Sequence, residues 1–196
     1  MKKDFTVINV IIDASGSMEA LTKDTLGGFN TFLKEQKALP GEARLTLCTF
    51  DTVPKVIHEF ANIKTVKPLT AKQYSPSGMT ALLDALGQII ENTGKTLYAM
   101  SEDEKPQNVI VVVITDGQEN SSKKFDRAKI AEMVKHQQDV YNWQFLFFGA
   151  NIDAFTEGKS LGLSPASIQQ YNANSSGVGN VYRSVSDSVT KSRTTP

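Results

Sequence analysis

Two runs of residues leave this chain little choice of fold. "FTVINVIID" (5–13) and "NVIVVVITDG" (108–117) are nearly continuous in β-branched and apolar residues. Strands of that composition are covered on both faces, which places them near the centre of a parallel sheet flanked by helices.

The segments around them alternate accordingly. From Thr22 to about Lys37, Leu26, Phe29 and Leu33 recur at helical spacing and predict an amphipathic helix. "ARLTLCTFD" (43–51) and "VPKVIHEFA" (53–61) are two strand-like runs separated by little more than a turn, so an antiparallel hairpin is expected, with Pro54 confining the second run to a sheet edge. "TALLDALGQIIENTGKTLYAM" (80–100) predicts a second helix opening at Thr80, with Gly87 and Gly94 weakening its later half. A helical stretch around 124–138, a strand at "WQFLFFGA" (143–150) and a short helix near "DAFTEGKSLG" (153–162) continue the alternation. Val178, Val181, Val185 and Val189 mark a closing helix over 178–191. The expected class is α/β: a doubly wound, mostly parallel central sheet with one antiparallel edge strand and helices on both faces. One domain is expected over 1–196, with its core at about 5–160 and a strand and helix extension at about 165–191.

Charge and composition narrow the function. Lys plus Arg and Asp plus Glu each number 21, so general attraction to nucleic acid or to an anionic membrane is not expected. The opening "MKKDFTV" lacks the apolar core of a signal peptide, and no apolar run approaches the roughly 20 residues that cross a bilayer. The single cysteine, Cys48, lies in an apolar stretch and reads as a buried structural thiol. These features together predict a cytoplasmic protein.

The first strand ends abruptly in "DASGS", which sets Asp13, Ser15 and Ser17 at alternate positions. Turn formation or helix capping is one reading of such residues. A site for a hard cation is the other. In an open, mostly parallel sheet, ligands bind outside the carboxyl ends of the strands, where Asp116 of "ITDGQEN" also falls. Thr80 of "GMTAL" lies at the start of the second long helix. Two carboxylates and three hydroxyls suit Mg2+, which takes oxygen ligands, keeps several waters and binds one or two carboxylates. They do not suit a structural zinc site, which draws on Cys and His.

"DASGS", the Thr of "GMTAL" and the Asp of "ITDGQEN", in this order, resemble the metal-ion-dependent adhesion site (MIDAS) of von Willebrand factor type A domains. The resemblance covers roughly residues 5–160 and implies that fold, Rossmann-like and doubly wound. It implies Ser15, Ser17 and Thr80 as hydroxyl ligands, and Asp13 and Asp116 as ligands bound directly or through water. It also implies a protein partner whose Asp or Glu completes the shell. The all-oxygen ligand set itself makes Mn2+ a workable substitute for Mg2+. Small members without a secretion signal resemble intracellular type A proteins of bacteria and phages, some of which work with AAA+ ATPases or in stress-response assemblies.

Other candidates carry less. His58 and His136 read as ordinary surface or partly buried residues. Glu19 and Glu119, which follow the two loops, read as solvated loop acids, the other reading being that they tune the site's charge or hydrogen bonding. Trp143 with Phe145, Phe147 and Phe148 reads as sheet core, with an exposed recognition aromatic as the second reading. The glycines of "SSGVGN" lack the preceding strand and the spacing of a dinucleotide loop. The expected function is a metal-dependent protein-binding module rather than an enzyme. The competing readings are a Mg2+-assisted phosphoryl-transfer or hydrolytic enzyme and a scaffold with a purely structural metal. A phosphate-binding loop and a nucleophile elbow, which mark common classes of such enzymes, do not occur in the chain.

Overall fold

The computed structural model describes residues 1–195. Among these residues six strands form one sheet: β1 (Lys2–Asp13), β2 (Glu42–Phe50), β3 (Pro54–Asn62), β4 (Pro106–Thr115), β5 (Gln144–Gly149) and β6 (Ile168–Gln170). Their spatial order is β3-β2-β1-β4-β5-β6. Every neighbouring pair is parallel except β2 and β3, the antiparallel hairpin expected from their short connection. Pro54 opens β3 at the sheet edge, where its missing N–H costs no ladder bond. The fold is therefore α/β and doubly wound, with a single antiparallel edge strand.

Among the described residues five α-helices cover the sheet: α1 (Thr22–Ala38), α2 (Leu82–Tyr98), α3 (Arg127–Tyr141), α4 (Ala154–Ser160) and α5 (Ser175–Thr194). Alternation along the central strands divides the core in two. Ile8, Val10 and Ile12 of β1 pack with Phe29, Phe32 and Leu33 of α1 and with Val178, Val181, Val185 and Val189 of α5. Val7 and Ile11 face the other layer, with Leu82, Leu86 and Ile90 of α2 and Ile130 and Val134 of α3. Phe145 and Phe147 join this second layer while Phe148 joins the first, as period-two geometry requires. The buried thiol of Cys48 is pushed up to about 12 by burial, which makes it an unreactive filler.

Two features of the second long helix differ from the expectation. Helix α2 begins at Leu82, so Thr80 lies in the loop before it rather than within it. The helix also runs unbroken through both of its glycines. Gly87 is required by packing, because a Cβ there would meet the ring of Phe125 at 2.6 Å, whereas a Cβ on Gly94 would meet nothing within 4 Å. The two glycines should respond oppositely to alanine in urea unfolding. Gly87→Ala is expected to destabilise by about 1–3 kcal/mol through overpacking, and Gly94→Ala to stabilise by about 0.5–1 kcal/mol through helix propensity.

Candidate metal centre

Strands β1 and β4 lie side by side and parallel, with Ile12 opposite Ile114. The chain leaves β1 through α1 towards β2, and leaves β4 through α3 towards β5 on the opposite side. The connections therefore diverge between these two carboxyl ends and open a crevice there. Asp13 is the last residue of β1 and Asp116 follows the last residue of β4, so the register itself sets two carboxylates at one point.

Each predicted residue is found at this point. Asp13 is fully buried; its Oδ1 accepts the backbone N–H of Ser15 at 2.7 Å and its Oδ2 accepts the hydroxyl of Thr115 at 2.6 Å. Ser17 Oγ donates to Asp116 Oδ1 at 2.5 Å and lies 3.1 Å from Ser15 Oγ. Thr80, also buried, arrives from the loop before α2. Gly117 locates the common centre: a Cβ on it would lie 3.2 Å from Thr80 Oγ1, 3.7 Å from Ser17 Oγ and 3.8 Å from Asp13 Oδ2. Hydroxyl and carboxylate oxygens from three separate loops thus surround a small space that a side chain at 117 would invade. Ser17 is exposed while Ser15 and Thr80 are buried, so the space faces solvent on the Ser17 side.

Helix capping does not account for these hydroxyls. Ser15 is the N-cap of the 3-10 turn Gly16–Leu21 yet makes no side-chain cap bond, and the N-caps of α1 and α2 are Leu21 and Ala81. By contrast, α3, α4 and α5 are capped by the side chains of Asp126, Asp153 and Asn174. The turn reading is right in one respect, since the Ser15 N–H bond to Asp13 is a local turn contact that also fixes the carboxylate.

The electrostatics call for a cation. Burial pushes the Asp13 carboxyl above the usual carboxylate range, against the hydrogen bonds from Thr115 and Ser15, and the charge of Asp116 pushes it further. Burial raises Asp116 likewise, offset by the hydrogen bond from Ser17. A positive charge between them would reverse this cost. Among the described residues no three Asp, Glu, His or Cys groups come together anywhere, so the donor set at this point is two carboxylates supplemented by hydroxyls. That chemistry fits a hard divalent cation that retains water.

Thr115, Tyr74 and Asn120 support the site without having been foreseen, and Glu119 does so by the lesser of its two readings. Thr115, in the apolar run of β4, carries the hydroxyl that orients Asp13 and accepts the Gly117 N–H at 3.2 Å. Tyr74 donates its hydroxyl to the Asp13 carbonyl at 2.7 Å, and burial pushes its phenol well up, so it remains a donor. Asn120 holds Thr80 by two bonds, its Oδ1 accepting the Thr80 N–H at 2.9 Å and its own N–H donating to the Thr80 carbonyl at 3.0 Å. Glu19 is exposed as expected, within the 3-10 turn after β1, but Glu119 is not a solvated acid. It accepts the N–H groups of Leu83, Ser121 and Ser122 and the hydroxyl of Ser122, tying the start of α2 to the loop after β4. A Glu and an Asn two and three residues after an Asp-Gly pair are a turn signal at most in sequence.

No protein-family model and no curated protein matches the chain. Solved structures do. A von Willebrand factor type A protein from Catenulispora acidiphila superposes with a TM-score of 0.62 at 18% identity over 94% of this chain and 42% of its own. Proximal thread matrix protein 1 from the mussel byssus, with a zinc-occupied MIDAS motif, gives 0.65 at 16% identity over 95% and 48%. Manganese-loaded TRAP protein from Plasmodium vivax gives 0.61 at 14% identity over 92% and 73%. The chain spans less than half of the first two of these proteins. The fold is that of von Willebrand factor type A domains.

The raised carboxyls set the sign of a pH dependence. Between the ordinary carboxylate value and the raised value, the folded form binds more protons than the unfolded chain, so the stability of metal-free protein rises as pH falls through that window. Urea titrations in chelator across mildly acidic pH should show this rise, and Asp116→Asn should flatten it while raising stability at neutral pH. A fall in stability over the same window would contradict the desolvation described for Asp13 and Asp116.

Proposed function

We propose that the chain is a metal-dependent protein-interaction module. The observation that carries this reading is the convergence of Asp13, Ser15, Ser17, Thr80 and Asp116 around the space beside Gly117. Ser15, Ser17 and Thr80 offer hydroxyl oxygens, and Asp13 and Asp116 offer the only formal charges. A divalent cation held by so few charges keeps positive potential and attracts an external carboxylate. Mg2+ is the ion that this oxygen set suits best, and Mn2+ is its expected substitute. The solvent-facing side at Ser17 is where an Asp or Glu of a partner protein would approach. Zinc at a MIDAS motif in the byssus protein and manganese in TRAP lend support to a divalent ion on this fold.

The same reading makes the chain a binder and not an enzyme. His58 is engaged with the Lys67 carbonyl in edge strand β3, and His136 lies near the end of α3, at the opposite end of the sheet from the carboxylates. A cytoplasmic setting belongs to this proposal and rests on the buried thiol and the sequence reading. A partner of AAA+ or stress-response type, and a bacterial or phage source, rest on the resemblance alone. No helix among the described residues is long and apolar enough to cross a membrane.

Calorimetry is expected to show Mg2+ and Mn2+ binding, weakened on the order of 10-fold or more by Asp13→Ala or Asp116→Ala. Chelator should leave the far-ultraviolet circular dichroism unchanged, because the strands are held by their own core. Partner binding should fall both in chelator and in Thr80→Ala, with little further loss when the two are combined. Unchanged Mg2+ affinity in both Asp variants removes the metal site. Binding of a partner that ignores chelator moves recognition to another surface.

A further inference from the structure

A groove of about 300 Å³ opens at the amino end of the sheet, between the last turns of α2 and α3 and the start of β4. Strand β4 runs the distance between it and the metal centre, about 30 Å at 3.3 Å per residue. It is an independent feature, and nothing about the metal reading bears on it. Its volume lies at the lower limit of small-molecule sites, which are concave and largely apolar with a few polar groups that fix orientation.

The walls are aromatic. Tyr98 is 88% exposed and Tyr141 58% exposed, and these two large rings line the opening together with the buried Trp143. His136 packs edge-on against Tyr141 with ring centroids 5.6 Å apart. Gly94 contributes no side chain to its part of the wall, although glycine weakens a helix interior and a Cβ there would meet nothing. The space is thus kept open where an ordinary helical residue would fill it. Lys105 and His136 are the basic side chains of the lining, and no carboxylate lines it. Lys105 is paired with Glu102, an exposed partner from which an ammonium separates at little cost.

We infer that this groove binds a small planar aromatic anion, its ring between Tyr98 and Tyr141 over Trp143 and its acid group towards Lys105. Rings stack favourably on such walls in offset or edge arrangements. The ammonium supplies the charge-assisted hydrogen bond that orients the ligand.

Trp143 is the only tryptophan, so its indole N–H gives a single reporter resonance in a nitrogen-15 correlation spectrum. Titration with 1-naphthoate is expected to shift it saturably, and the neutral isostere 1-naphthamide to bind at least 10-fold more weakly. Lys105→Met should reduce naphthoate to the affinity of the amide. Gly94→Leu raises helix propensity and fills the groove, so it should abolish both shifts while the fold persists. The proposal is overturned if naphthoate gives no saturable shift or if the shift survives in Gly94→Leu. Equal binding of naphthoate and naphthamide overturns the assignment of an anion. A resonance that moves with protein concentration in the absence of probe shows instead that a second copy of the chain covers the groove.

Discussion

The site depends on the pairing of β1 with β4. Parallel registration of Ile12 with Ile114 delivers Asp13 and Asp116 to one point at the switch of the sheet, and burial then drives both carboxyls above their ordinary range. Two like charges in a poorly solvated crevice are a standing cost to the fold. The surrounding hydrogen bonds reduce that cost without abolishing it. Thr115 and the Ser15 N–H occupy the oxygens of Asp13, and Ser17 occupies one oxygen of Asp116. Strain of this kind is retained at functional sites because the rest of the structure over-determines it. Here the two apolar layers against α1 and α5 and against α2 and α3 hold β1 and β4 in place whatever the charges prefer.

The third loop is brought to the carboxylates by different means. Thr80 belongs to no strand or helix, and its position follows from contacts with the segment after β4. Asn120 fixes its backbone, Glu119 bonds the first turn of α2, and Asp84 accepts the N–H groups of Lys123, Lys124 and Phe125. Three N–H bonds hold the Asp84 carboxyl below the usual range despite the opposing effect of burial. Loop and helix start are thus joined by charge-assisted bonds to backbone, which are stronger than neutral ones and directional. The hairpin between β2 and β3 adds a further tie. Thr52 Oγ1 accepts the Met79 N–H at 3.1 Å, beside Gly78 at a positive φ of 70° that glycine adopts without strain.

What could be read from the sequence was local in origin. The apolar runs of β1 and β4 announce buried central strands because strand period and composition are properties of adjacent residues, and the valines of α5 announce its core face in the same way. "DASGS" is legible for the same reason: three oxygen-bearing side chains at alternate positions follow directly on a buried strand. That these oxygens meet Thr80 and Asp116 was expected from the rule for parallel sheets and from a family resemblance. The arrangement around Gly117 could be seen only in three dimensions.

Tertiary structure decided the remainder. Thr115 reads as one more β-branched strand residue, yet its hydroxyl serves a carboxylate 102 positions away. Glu119 reads as a solvated acid until the start of α2, 36 residues back, is placed against it. Gly87 looks like a weak point in its helix until the ring of Phe125 is found where its Cβ would be. The reason is common to all three. Periodicity and composition record what a residue does with its chain neighbours, whereas the partner of a polar side chain, or of a missing one, is set by which loops the strand order brings together.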